Sequence, residues 1–190
     1  MNKKMETNII MELNDYKSQL YAKKDGPILI KEVALPKDCV GWLVIDSLKL
    51  GGSGGGVRIG NNVTLAGVKL LASEMTLKYS FYNRRAGAAK AGIYCPDSIT
   101  QKEREDILFY FGKGLKGLLC EGVYRPGVDM GTDPNDIEQN LKGAGINRRT
   151  DNDYIDTSYY TGISVFAALK AVASFKGIEL RGARIGIQGL

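Results

Sequence analysis

Apolar residues recur at helical spacing in several segments and crowd into strand-like runs in others. Ile9, Ile10, Leu13, Tyr16 and Leu20 fall near helical spacing and predict an opening helix over 5–21. Segments 27–33 and 40–50 are rich in β-branched and aromatic residues and read as strands. Thr64 stands where an N-cap belongs, and Val68, Leu71, Ala72, Met75 and Tyr79 give the following helix, to about Ser80, one apolar face. Residues 79–81 and 91–95 read as extended, with a tight Gly/Ala stretch between them. Thr100 and Glu103 form a capping-box pattern for a helix running to about Leu119, and 120–123 reads as a short strand. Asp133-Pro134 opens another helix that ends near Gly143 or Gly145. Residues 159–176 form a long helix stopped by Gly177, and 183–188 reads as a buried strand. Strands and helices mix without strict βαβ alternation. That order predicts an α/β domain with a mixed β-sheet flanked by helices, and leaves the last strand as the start of something else.

Composition narrows the function classes. The 190 residues are 44% hydrophobic and 25% charged, ordinary globular usage with room for one full domain and a fragment of a second. No apolar run approaches the ~20 residues of a membrane span. The first 11 residues lack the apolar core and cleavage site of a secretory signal. Cys39, Cys95 and Cys120 are too widely spaced to suggest a disulfide framework or a zinc cluster, so a cytoplasmic, reduced setting is expected. The chain contains no histidine. Histidine triads, histidine metal sites and imidazole catalysis are therefore excluded, and proton chemistry falls to Lys, Asp, Glu, Tyr or Cys. The net charge of +5 is uneven: residues 1–95 hold 14 Lys/Arg against 8 Asp/Glu, and the rest hold 12 against 13. A basic half suits phosphates, carboxylates or nucleic acid. Its cations are scattered, however, and match no nucleic-acid module, so solubility is the favoured account of them.

Three segments could carry chemistry. Residues 51–58 (GGSGGGVR) lack the Lys-Ser/Thr of a Walker loop. Their glycines permit either close backbone approach to a ligand or a tight turn. Lys78 lies at the edge of an apolar helix face, where it must snorkel or serve an anion. Lys90 sits among Ala86, Gly87, Ala88, Ala89, Ala91 and Gly92, with no carboxylate in the segment. Desolvation there is expected to lower its pKa and make it a base near neutral pH; a snorkelling lysine on a packed turn is the alternative. Asp129, in RPGVDMGT (125–132), suits a carboxylate at a strand end or a turn aspartate bonding its own backbone.

Taken in order, these segments resemble the glutamate/leucine/phenylalanine/valine dehydrogenase family from about Gly51 to Leu190. GGGVRIG (54–60) resembles its Gly-Gly-x-Arg loop, and LASEMTLKYSF (71–81) its Leu-Ala-x-x-Met-Thr-x-Lys helix. AGAAKAGI (86–93), RPGVDMGT, YYTGISVFAALKA (159–171) and GARIGIQGL (182–190) resemble its lysine segment, aspartate turn, Thr-Gly helix and first Rossmann strand. The resemblance implies reversible deamination of an L-amino acid to a 2-oxo acid and ammonia, with NAD or NADP as cofactor. It implies that Lys78 binds the substrate carboxylate and Lys90 activates water. Asp129 would shuttle protons, Gly55 and Gly56 would line the substrate floor, and Thr161 and Gly189 would serve the cofactor. It implies a substrate-binding and oligomerisation domain over 1–158, a linking helix over 159–181, and the first strand of a dinucleotide domain over 182–190. A homo-oligomer without nucleic-acid or membrane partners follows. With only Gly189 of the three-glycine fingerprint in hand, these 190 residues alone are expected neither to bind NAD(P) tightly nor to turn over. A non-catalytic assembly module with the same fold is the rival. Gly54 stands where glutamate-specific members carry lysine, and Ala88 and Ala91 replace two usual glycines.

Overall fold

The computed structural model describes residues 26–147 and 157–187. The expected opening helix and Gly189 lie outside them. The chain divides into two compact units between residues 149 and 150. The first contains β1 (Leu29–Ala34), β2 (Val40–Ile45), β3 (Ser53–Gly60), α1 (Leu65–Phe81), β4 (Gly87–Tyr94), α2 (Gln101–Gly114), α3 (Lys116–Cys120), β5 (Tyr124–Val128) and α4 (Pro134–Gly143). The second contains α5 (Thr157–Lys176).

The sheet has the spatial order β1-β2-β4-β3-β5. β1 and β2 form a hairpin, β4 runs antiparallel to β2, and β3 lies parallel to both β4 and β5. The mixed sheet is as expected. Alternation along its strands divides the core in two. Leu43, Ile45, Val57, Ile59, Ala89, Ala91 and Ile93 pack with Ile107, Leu108, Phe111, Leu115, Ile137 and Leu141 from the helices that follow. On the other face Val44 packs with Val63, Val68 and Ala72 beneath α1.

The glycine segment and the Gly/Ala stretch before the expected extended segment 91–95 are parts of central strands. The glycine segment forms β3, and the Gly/Ala stretch around Lys90 forms β4, in which every residue from Gly87 to Ile93 is buried. A strand covered on both faces needs no polar alternation, so its pattern is lost among small residues. Those small residues let α1 come close: a Cβ at Gly92 would collide with the Val68 side chain and lie 2.8 Å from Val63.

The capped helices begin where expected. The Thr64 hydroxyl accepts from the amide of Gly67 at 3.2 Å. Residues 79–81, expected to be extended, form the last turn of α1. Thr100 and Glu103 make the reciprocal capping box of α2, whose helical run breaks at buried Leu115 before α3. The expected strand at 120–123 is displaced to β5, because Gly122, at φ 67°, reverses the chain after α3. Asp133 and Asp136 cap α4 reciprocally, with Pro134 in its first turn. Arg104 ties α2 to this cap through Asp136 Oδ2 at 2.6 Å and also reaches the carbonyl of Gly131.

In the second unit, α5 stops at Gly177 (φ 65°). There Ile178 N–H donates to the Ala173 carbonyl and Gly177 N–H to that of Ser174, a Schellman ending. The helix thus ends before residue 181. Residues 183–187 are not a strand; an extended segment becomes one only by pairing, and no described segment pairs with it.

Candidate active site

Strand register assembles the site. Val57 pairs with Ala91 on one side and Val128 on the other. This brings Arg58 of β3, Lys90 of β4 and Asp129, just after β5, to the sheet face that α1 partly covers. Lys90 Nζ lies 2.6 Å from Asp129 Oδ2, and Arg58 Nε donates to the same oxygen at 2.8 Å. Asp129 Oδ1 has no partner among the described residues. The Lys90 side chain is only 6% exposed, against 21% for Asp129 and 28% for Arg58. Burial pushes the Asp129 carboxyl up, but the hydrogen bonds and charges of Arg58 and Lys90 outweigh it and hold the group below its usual range. The expectation of a lysine without a facing anion is therefore wrong. The carboxylate comes from a distant segment, which composition around Lys90 could not reveal.

The backbone of the site depends on missing side chains. A Cβ at Gly56 would stand 2.7 Å from the Cβ of Asp129, so glycine is what admits the carboxylate. Gly55 points to the opposite, core face; a Cβ there would overlap the Ala89 carbonyl. Its own carbonyl accepts from the buried Tyr124 hydroxyl at 3.0 Å. Of the two floor glycines, only Gly56 lies on the Lys90 face. The turn holding Asp129 is closed by Thr132, which accepts from the Asp129 amide at 2.9 Å and lies 2.7 Å from the Val57 carbonyl.

A second polar group anchors α1 beside this site. Thr76 Oγ1 donates to Asp46 Oδ2 at 2.5 Å and lies 2.8 Å from Ser47 Oγ, which accepts from the Ala88 amide at 3.0 Å. Sequence reasoning singled out neither this group nor Arg58. Arg58 had a signal, as the one charge in a run of glycine and apolar residues. Asp46 and Ser47 had none and Thr76 only its place in the Met-Thr-x-Lys motif, since the fold alone brings the three together. Lys78 lies exposed on the last turn of α1, and its side chain makes no hydrogen bond or ion pair among the described residues. Next to it, the Tyr79 hydroxyl lies 3.2 Å from where a Gly54 Cβ would be, and Arg84 stacks on the Tyr79 ring at 4.9 Å. Thr161 belongs to α5, in the other unit.

No group of three potential ligands that could hold a metal occurs among the described residues. Nor do they fit a dinucleotide: residues 182–187 form no strand, and no described strand leads through a glycine turn into a phosphate-binding helix.

A carboxylate is thus gripped by two cations above a strand floor of glycine and alanine, on a mixed α/β sheet. Residues 34–142 match the family described as Glu/Leu/Phe/Val dehydrogenase, dimerisation domain, and the chain belongs to that family. It is 28% identical over 132 residues to the NADP(+)-dependent glutamate dehydrogenase of Pyrobaculum calidifontis, covering 65% of this chain and 31% of that protein. It is 26% identical over 192 residues to the NAD-specific glutamate dehydrogenase of Clostridioides difficile, covering 90% and 46%. The chain thus spans less than half the length of these curated relatives. Its fold resembles hetero-hexameric glutamate dehydrogenase from Thermus thermophilus in a Leu-bound form, with TM-score 0.68, 23% identity and coverage of 96% and 51%. L-tryptophan dehydrogenase from Nostoc punctiforme shares the fold at TM-score 0.54 and 20% identity, over 70% of this chain and 38% of that one.

Proposed function

We propose that this chain is the substrate-binding and oligomerisation part of an NAD(P)-dependent amino-acid dehydrogenase that interconverts an L-amino acid with its 2-oxo acid and ammonia. The observation that carries the reading is the buried Lys90–Asp129 pair, held by Arg58 inside the family-matched segment. NAD or NADP would supply the hydride acceptor. The residues of this chain have separate tasks. Asp129, with Oδ1 open, exchanges a proton with the substrate amino group, and Lys90 holds or releases the proton of the attacking water. Arg58 keeps the carboxylate aimed and ionised. Exposed Lys78 receives the substrate carboxylate. Gly54, with the Tyr79 hydroxyl beside it, puts no cation at the position where glutamate-specific members carry lysine, which favours an uncharged substrate side chain. We propose the domain bounds 1–158, 159–181 and 182–190, and a cytoplasmic setting. No described helix is long and apolar enough to cross a membrane.

The test is steady-state kinetics of the protein as encoded. Lys90→Met should lower kcat by ~10²–10⁴-fold, as loss of an acid–base group does. Lys78→Met should chiefly raise KM, because it removes a contact made throughout the reaction. Near-normal turnover in Lys90→Met refutes the assignment and favours an assembly module. The 190 residues alone should show no NAD-dependent deamination, and should self-associate in analytical ultracentrifugation.

A further inference from the structure

Cys39 and Cys95 meet in the folded chain although the sequence places them far apart. The β2–β4 register pairs Val40 with Tyr94, and one step further puts Cys39 opposite Cys95. The Cys39 amide donates to the Pro36 carbonyl at 3.3 Å, and its carbonyl accepts from Leu35 N at 3.1 Å. The Cys95 amide donates to the Gly60 carbonyl at 3.1 Å. Neither amide is directed at the other cysteine. This is the narrow, non-hydrogen-bonded position of an antiparallel ladder, where Cα atoms lie about 4.5 Å apart, inside the span a disulfide bridges. The two Sγ atoms are 3.4 Å apart, and the residues are 2% and 6% exposed. Cys120 is exposed, and its sulfur lies 3.6 Å from the Ala144 carbonyl.

We propose that Cys39 and Cys95 are a site of oxidative modification: in the folded protein, hydrogen peroxide converts them to an intrachain disulfide that staples the start of β2 to the end of β4. One sulfur takes an oxygen from peroxide, giving a sulfenic acid and one water. The other sulfur attacks it; the S–S bond forms, the S–O bond breaks, and a second water leaves. Two thiols lose two hydrogens and two electrons, and peroxide is reduced to two waters. A small uncharged oxidant suits the site, because bulky disulfides cannot reach buried sulfurs. Burial, with the neighbouring Cys39 sulfur, pushes the Cys95 thiol up to about 12. The reaction is therefore slow at neutral pH, and the same burial shields the product from reductants. The site is independent of the dehydrogenase reading.

The test uses the full chain with Cys120→Ser, which removes the exposed thiol that would link two copies. After peroxide treatment under native conditions, intact mass should fall by two hydrogens. Non-reducing peptide maps should join the Cys39 and Cys95 peptides. The melting temperature should rise by about 10 °C, as closing so long a loop predicts, and dithiothreitol should reverse it. Adding Cys39→Ser should abolish the mass loss. Oxygen addition at the separate cysteines, linkage only in denaturant, or no reaction at either sulfur overturns the proposal.

Discussion

Replacing Asp129 with asparagine keeps the shape of the site and removes the anion paired with Lys90. Lys90 then stands in a setting that leaves its side chain 6% exposed, without its directly paired carboxylate. Arg58, at 28%, can turn toward water. Breaking a fully buried pair by deleting one partner costs about 3–5 kcal/mol. Water reaches the Asp129 side of this pair, so we scale the loss to about 2–3 kcal/mol. For a chain of this size that lowers the melting temperature by about 5–10 °C. Lys90→Met is different. It leaves the carboxylate with Arg58 and partial hydration, and puts an apolar chain of similar length in the lysine's place. About 1 kcal/mol or less should be lost. The double variant should then be more stable than Asp129→Asn alone, because the uncompensated charge has gone. Urea unfolding of the four proteins, followed by circular dichroism with comparable m-values, reads the coupling directly. If the double variant loses the sum of the two single losses, Lys90 and Asp129 are not coupled and the reasoning fails.

Two further outcomes follow from the same geometry. The Asp129 carboxyl is held below its usual range in the folded state, so its stabilisation is fully present above the ordinary carboxylate pKa, near ~4, and is lost as pH falls through the folded value. A stability–pH profile of Asp129→Asn should therefore be flatter than wild type on the acid side; an unchanged acid limb contradicts the assignment. Gly55→Ala should unfold the domain or cost more than about 3 kcal/mol, since the added methyl meets the Ala89 backbone, whereas Gly127→Ala, with open space around it, should change stability by about 0.5 kcal/mol or less. Equal melting temperatures for these two variants would show that β3 and β4 do not pair as described.

Local signals were legible and tertiary ones were not. Thr64, the Thr100–Glu103 pair, Asp133-Pro134 and Gly177 marked helix ends because a cap satisfies backbone groups within a few residues. β3 and the first half of β4 escaped because glycine and alanine carry almost no strand preference; these segments are strands because neighbours flank them on both sides. Lys90 and Asp129 each stood out as an isolated charge among small residues. Their pairing, and the part played by Arg58, depended on a register that no periodicity encodes. The same limit hid the Cys39–Cys95 contact, since spacing along the chain says nothing about opposition across a ladder.

The small-residue floor beneath the Lys90–Asp129 pair divides the protein's capacity for change. At Gly55 and Gly56 even one methyl meets neighbouring backbone or the Asp129 side chain, so substitution there disturbs the sheet before it can reshape a ligand. Lys78 and Tyr82 stand exposed at the end of α1, and Arg125 on β5, where replacement leaves the ladder intact. On the proposed reading, new substrate preferences arise at such exposed positions while the Lys90–Asp129 pair stays as it is. A library confined to positions 78, 79, 82 and 125 would explore chemistry at small thermodynamic risk; one directed at 55–56 and 87–92 would mostly sample unfolded chains.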